Sequence, residues 1–270
     1  MGRAERFALR TAAGLRRREG GGRAPRPGAD AAFDGLRPYR EGDDPRGIDW
    51  GLLARSDRAF VRVARREAGE TWLVLVDRSA SMGIGDPTKL QAASEAALGL
   101  AALGVALGAE VLVVGDDGAA PVRCAAPPHI AAVRTALEGR RAAGRAGLDA
   151  ALARREVHRS ARVFAIGDFF GADPLRWCAL GRAGRALVLI QVLADFEIAP
   201  GAEGEVEIAD PEDGARVMLD LDARAAGRYD LELSHWLERW RQSAARRGAR
   251  HDAASSRVPF EDRLRRLFEP

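Results

Sequence analysis

Asp77, Ser79 and Ser81 form the chain's most chemically suggestive spacing, a carboxylate followed at i+2 and i+4 by hydroxyls. Three hard oxygen donors from one short loop suit a magnesium-type ion that keeps some of its waters. The same letters also read as an Asx or Ser turn capping the helix that begins near Lys89. A second acid, Asp168, follows another apolar run and is the second place where an acid ends such a run.

The elements that must position these groups are legible around them. Thr71 to Val76 is a continuous Trp/Leu/Val run, and such a run bounded by turn residues predicts a strand buried on both faces, as in a parallel α/β sheet. Ligands in such sheets collect at the carboxyl ends of strands, which is where Asp77 falls. Further core strands are predicted over 109–114, 162–166 and 186–193. Helical spacing covers 89–107, 129–138, 148–158 and 174–180. This alternation predicts a right-handed, doubly wound, mostly parallel sheet. The alternating stretch 59–65 is predicted to be an antiparallel edge strand beside the Trp72 strand. The turn Asp210-Pro211-Glu212-Asp213-Gly214 predicts an appended β-hairpin, and helices are predicted over 222–247 and 260–268. The acids of the Gly115-Asp116-Asp117-Gly118 turn are assigned to a hairpin tip.

The organisation expected is an N-terminal helix with a Gly/Pro/Arg segment (1–32), a polar motif segment with the edge strand (33–70), an α/β core (71–200), and a hairpin with C-terminal helices packed on the core (201–270). The motif segment holds Tyr39, Arg40, Asp43, Asp44, Arg46, Asp49 and Trp50, a mixture of ion-pairing groups and aromatic pins. It reads as a structural buttress, or alternatively as a partner surface.

Composition narrows the functional classes. A chain of 270 residues with 47% hydrophobic and 30% charged residues is globular rather than disordered. The formal charge of +3 comes from 42 bases against 39 acids. That near balance gives little support to nucleic-acid binding through Arg3 to Arg26 or Arg239 to Arg250. Lys89 is the only lysine, and the arginine excess reads as compositional bias. Cys124 and Cys178 lack metal-ligand spacing and suit a reducing compartment. No apolar run is read as approaching the roughly 20 residues that span a bilayer, and no signal-peptide core is recognisable. Cytoplasmic residence is the expectation.

The run Arg37-Pro38-Tyr39-Arg40-Glu41-Gly42-Asp43-Asp44-Pro45-Arg46-Gly47-Ile48-Asp49-Trp50, then Ala54-Arg55, then the Asp77-x-Ser79-x-Ser81-Met82 loop, closely resembles the bacterial family called domain of unknown function 58. The resemblance implies a von Willebrand factor type A-like, Rossmann-like fold with a metal-ion-dependent adhesion site formed by Asp77, Ser79, Ser81 and Asp168. It also implies an adaptor role beside a MoxR-type AAA+ ATPase. Where that family has Gly-Thr-Asp-Leu, this chain has Gly144-Arg145-Ala146-Gly147-Leu148, and Ala146 supplies no side-chain oxygen. Two expectations stand side by side: Mg2+ bound with a water in the missing place, or a metal-free site in which Arg78 and Arg145 take the cation's position and pair with Asp77 and Asp168.

The resulting expectation is a non-enzymatic module whose upper face accepts an acidic side chain from a partner protein. The alternative is a hydrolase or phosphotransferase with Asp77 as nucleophile. Such chemistry wants a second acid two residues on, where this chain has Ser79. Phosphate-loop, zinc-protease and nucleophile-elbow motifs do not occur.

Overall fold

In the computed structural model the described residues are 2–18, 33–39, 50–56, 58–64, 70–115, 119–145, 147–183, 185–201 and 204–268. The chain divides into two units, Arg16–Gly69 and the combined Met1–Leu15 and Glu70–Pro270. Helix α1 (Arg3–Arg18) turns Ala4, Phe7, Ala8 and Ala12 into the core of the larger unit. The N-terminal helix is therefore part of the main body, because its i, i+3, i+4 apolar positions make one stripe.

The smaller unit contains β1 (Phe33–Pro38), α2 (Trp50–Ser56) and β2 (Phe60–Ala64). β2 pairs antiparallel with β1 in a sheet of its own, Pro38 opposite Phe60. The predicted pairing of 59–65 with the Trp72 strand is thus corrected. Both edges of the Trp72 strand are taken by parallel strands, which leaves no ladder for a third partner.

The larger unit is an α/β fold around a mostly parallel six-stranded sheet. Its elements run β3 (Thr71–Val76), α3 (Lys89–Leu107), β4 (Glu110–Gly115), β5 (Val122–Cys124), α4 (Ile130–Glu138), α5 (Arg155–Arg159), β6 (Arg162–Gly167), α6 (Pro174–Cys178), β7 (Ala186–Leu193), α7 (Asp195–Ile198), β8 (Gly204–Ala209), β9 (Arg216–Leu221), α8 (Ala223–Ala245), β10 (Arg250–Ser255) and α9 (Phe260–Phe268). The strand order is β10-β7-β6-β3-β4-β5, and only the β4–β5 pair is antiparallel. The antiparallel edge is therefore β5. The predicted helix 148–158 is resolved into a 3-10 turn, Leu148–Ala153, followed by α5.

Every residue from Leu73 to Val76 is fully buried. Trp72, Val74 and Val76 join α1, α3, α4 and α9 on one face, while Leu73 and Leu75 meet Trp177, Trp240 and Leu148 on the other. Two-sided burial explains the uninterrupted apolar run, since each such side chain contributes about 1.5–3 kcal/mol. Helix α3 lies against β3 with Gly104 next to Trp72 and Val111. By length and composition α3, at 19 residues, qualifies as a candidate membrane span. It corrects the expectation that no apolar run comes near that length. Its buried positions pack in the core of this fold. β10 carries no hydrophobic signal beyond alanine and pairs with β7 through its backbone. The hairpin β8–β9 forms as predicted, with Val206 opposite Leu219 and Ile208 opposite Val217.

Candidate functional site

The strand order reverses at β3, whose neighbours are β4 on one side and β6 on the other. The crevice at the carboxyl ends of two such strands is the usual ligand position of a doubly wound sheet. Asp77 follows β3, Asp168 follows β6, and the Asp77 N–H donates to the Ile166 carbonyl at 2.9 Å, locking the two strand ends together. Gly167 makes this approach possible. A Cβ there would stand 2.7 Å from Asp77 Cβ and 2.8 Å from Asp77 Oδ2.

All four predicted ligands converge here. Asp77 Oδ1 accepts from the Ser79 N–H at 2.9 Å, an Asx turn. The Ser79 and Ser81 hydroxyls are 3.0 Å apart, and the Ser81 hydroxyl donates to Asp168 Oδ2 at 2.7 Å across 87 residues of sequence. Asp168 Oδ1 accepts from the Phe170 N–H at 3.1 Å. Asp77, Ser79 and Asp168 are each only 2% exposed. The cap of α3 is Thr88 with Gln91 in a reciprocal capping box, so the Asp77 loop is not that helix's cap.

The cation beside Asp168 is Lys89. Its ammonium lies 2.8 Å from Asp168 Oδ2 and 2.6 Å from Glu197 Oε1, with Lys89 fully buried. The Phe170 ring, 47% exposed, lies 5.1 Å from Nζ and stacks on Trp236 at 4.9 Å. Glu197 is held by the Ala194 N–H, which donates to its other oxygen at 2.7 Å. Behind Asp168, the Gln191 amide donates to its backbone carbonyl at 2.8 Å and meets His251 Nε2 at 3.1 Å. Burial pushes His251 down to about 4, so the ring is neutral at pH 7.

The arginine expectation is revised. Arg145 pairs with Asp213 of the hairpin turn, and Arg78 donates to the Arg141 carbonyl at 3.1 Å. Two backbone bonds, Ala80 N–H to Gly144 carbonyl and Ala143 N–H to Arg78 carbonyl, fasten the arginine-bearing 140–145 loop to the serine loop. Ala146, Asp116 and Asp117 lie outside the described residues, as do Arg40, Asp43, Asp44, Arg46 and Asp49. Tyr39 is half-buried and its N–H donates to the Ala59 carbonyl, while Trp50 is the first residue of α2. Both belong to the smaller unit.

The serine hydroxyls, 3.0 Å apart, match the roughly 3.0 Å separation of adjacent oxygens around an octahedral magnesium ion with bonds of about 2.1 Å. Asp168 does not match. Its Oδ2 already accepts from an ammonium and a hydroxyl, and a divalent ion bonded to it would stand within about 5 Å of a buried positive charge. The residues therefore do not fit a magnesium ion bonded to Asp168. Among the described residues no cluster of three or more His, Cys, Asp or Glu offers an alternative centre.

Residues 35–252 match the family described as protein of unknown function DUF58. The chain belongs to this family. Relatives include the uncharacterized proteins Rv1480 of Mycobacterium tuberculosis and Mb1516 of Mycobacterium bovis, each 31% identical over 235 residues, 79% of this chain and 72% of the relative. Among solved structures, the conserved hypothetical protein BatB from Bacteroides thetaiotaomicron superposes with a TM-score of 0.45 at 16% identity, covering 73% of this chain and 96% of that one. An aerotolerance-related membrane protein from Bacteroides fragilis gives 0.41 at 12% identity, covering 74% and 96%.

The side chains that sequence reasoning missed in this DUF58 site are Lys89 and Glu197. One signal for Lys89 was in plain view: the chain's single lysine stands at the start of the helix that follows the serine loop. Glu197 had none, because it enters the site only through the β7–α7 turn.

Proposed function

We propose that this DUF58 protein is a non-enzymatic interaction module of von Willebrand factor type A-like architecture, with a partial adhesion site at Asp77, Ser79, Ser81 and Asp168 whose face captures an acidic segment of a partner protein. The observation that supports it best is the convergence of those four side chains at the strand-order reversal, directly beside an arginine-bearing loop. Arg141 and Arg145 are exposed and Arg78 is half-buried along that rim, so a carboxylate meets positive charge there without needing an ion. A groove of about 810 Å³ between α3 and α4 is lined by Leu90, Leu98 and Leu137 and carries mixed charge, with Arg134, Arg140 and Arg141 beside Glu95 and Glu138.

The partner class implied by the sequence resemblance is a MoxR-type AAA+ ATPase, with the protein acting as its adaptor in the cytoplasm. Capture of such an ATPase by immobilised protein tests this reading. Arg141→Glu is expected to abolish capture while leaving circular dichroism and melting temperature near the wild-type values. Asp77→Ala is expected to abolish it by releasing the serine loop, with circular dichroism unchanged but the melting temperature lowered by loss of the buried Ser79 N–H bond. Capture unaffected by both substitutions would sink the proposal. Hydrolase activity is the competing reading, and phosphate-ester turnover lost in Asp77→Asn would establish it.

A further inference from the structure

We propose that the buried ammonium of Lys89 is the resident cation of this site, holding Asp168 and Glu197 in the role a divalent ion would otherwise play, so that the face assembles and binds without metal. The inference rests on the reading of this face as a partner-binding site and specifies its ion requirement.

Three features carry it. The first is placement: Nζ bridges carboxylates from two separate elements, the end of β6 and helix α7, and reaches them from the first residue of α3. A metal ion in an adhesion site has that same task of tying strand-end loops together, and a full charge in hydrogen-bond contact with both carboxylates performs it. The second is satisfaction. Asp168 takes Lys89 and Ser81 on one oxygen and Phe170 N–H on the other, and Glu197 takes Lys89 and the Ala194 N–H. Buried charges persist in folded proteins when they are paired and hydrogen-bonded in this way.

The third feature is residue choice. This chain uses arginine for every other fixed cation, yet a lysine stands here. A planar guanidinium delivers parallel donors to one carboxylate, whereas an ammonium is a compact charge whose donors diverge toward separate acceptors. Two carboxylate oxygens on separate elements at 2.8 and 2.6 Å, with an aromatic ring covering the ammonium at 5.1 Å, suit the second geometry.

The test is calorimetric titration of the full chain with Mg2+ and with Mn2+, accompanied by thermal melts in EDTA and in each metal, for wild type, Lys89→Met, Lys89→Gln and Asp77→Ala. Wild type is expected to show no saturable uptake up to about 10 mM and no metal-dependent change in melting temperature. Removing the ammonium frees Asp168 Oδ2 and removes a repelling charge, so either Lys89 variant should bind Mn2+ at least about tenfold more tightly than wild type. Its melting temperature should rise when Mn2+ is added. Lys89→Gln keeps side-chain donors and deletes the charge, which preserves the comparison if Lys89→Met does not fold. Saturable wild-type binding below about 1 mM that is lost in Asp77→Ala would overturn the assignment, as would Lys89 variants that fold and gain no affinity. Partner capture measured in EDTA separates the two readings. Its complete absence under every condition counts against the partner face alone, whereas the metal titrations decide Lys89.

Discussion

Gly167→Ala perturbs the fold and the site through a single methyl group. Its Cβ would stand 2.7 Å from Asp77 Cβ, 2.8 Å from Asp77 Oδ2 and 2.8 Å from Leu148 Cδ1, each well inside ordinary van der Waals contact. Neither neighbour can retreat freely. Asp77 is tied through its N–H to Ile166 and through Oδ1 to Ser79, and Leu148 is 2% exposed in the core. Overpacking of a well-filled site costs about 1–3 kcal/mol, and contacts from two sides place this case near 3 kcal/mol. Replacing glycine in a strand recovers about 0.5–1 kcal/mol of backbone entropy. The net expectation is a loss of about 2 kcal/mol, or a melting temperature lower by roughly 4–8 °C for a chain of this size. Urea denaturation gives the free energy and differential scanning calorimetry the midpoint. Gly227→Ala is the control: it lies in α8 with nothing within 4 Å of an added Cβ and should stabilise by about 0.5–1 kcal/mol. A Gly167→Ala protein within about 0.5 kcal/mol of wild type would refute the packing argument, because the strand ends would then be free to move apart.

Stability should fall as pH drops from 6.5 toward 4, because His251 binds its proton at about 4 in the folded chain and at 6.5 when unfolded; the loss reaches about 3 kcal/mol. In His251→Asn that segment of the stability–pH curve should be flatter, and identical curves would contradict the assignment. Phe170→Ala removes the ring stacked on Trp236 and should cost about 0.5–1.5 kcal/mol in urea denaturation. Cys124 and Cys178 are buried, with burial raising each thiol to about 11, so a disulfide reagent at pH 8 should label both slowly in native protein and rapidly in denaturant; fast native labelling would refute their burial.

Particular elements show where sequence reasoning reached and where it stopped. The Thr71–Val76 strand was legible because burial on both faces demands an unbroken apolar run, and the loop after it because small oxygen-bearing residues interrupt that run abruptly. The hairpin was legible from Asp210-Pro211-Glu212-Asp213-Gly214, whose turn chemistry is local. β10 was not, because Arg250-His251-Asp252-Ala253-Ala254-Ser255 has neither alternation nor β-branching. It is a strand because β7 offers a free edge of backbone donors and acceptors, which is a property of the sheet rather than of the segment. The pairing of 59–65 failed for the same reason. An alternating strand states that it has one exposed face, while the partner is settled by which edge remains open.

The sequence by itself determined the α/β class, the strand-end positions of Asp77 and Asp168, and the serine spacing between them, since these depend on periodicity and turn residues that act over a few positions. Only the tertiary structure decided which cation faces Asp168. Arg78 and Arg145 were nearer in sequence to the loops concerned, yet the 140–145 loop carries Arg145 toward Asp213, and the start of α3 carries Lys89 between Asp168 and Glu197. The acids that Lys89 joins are 79 and 108 residues away along the chain. A buried charge is placed by the sum of its partners in space, and no local pattern records that sum.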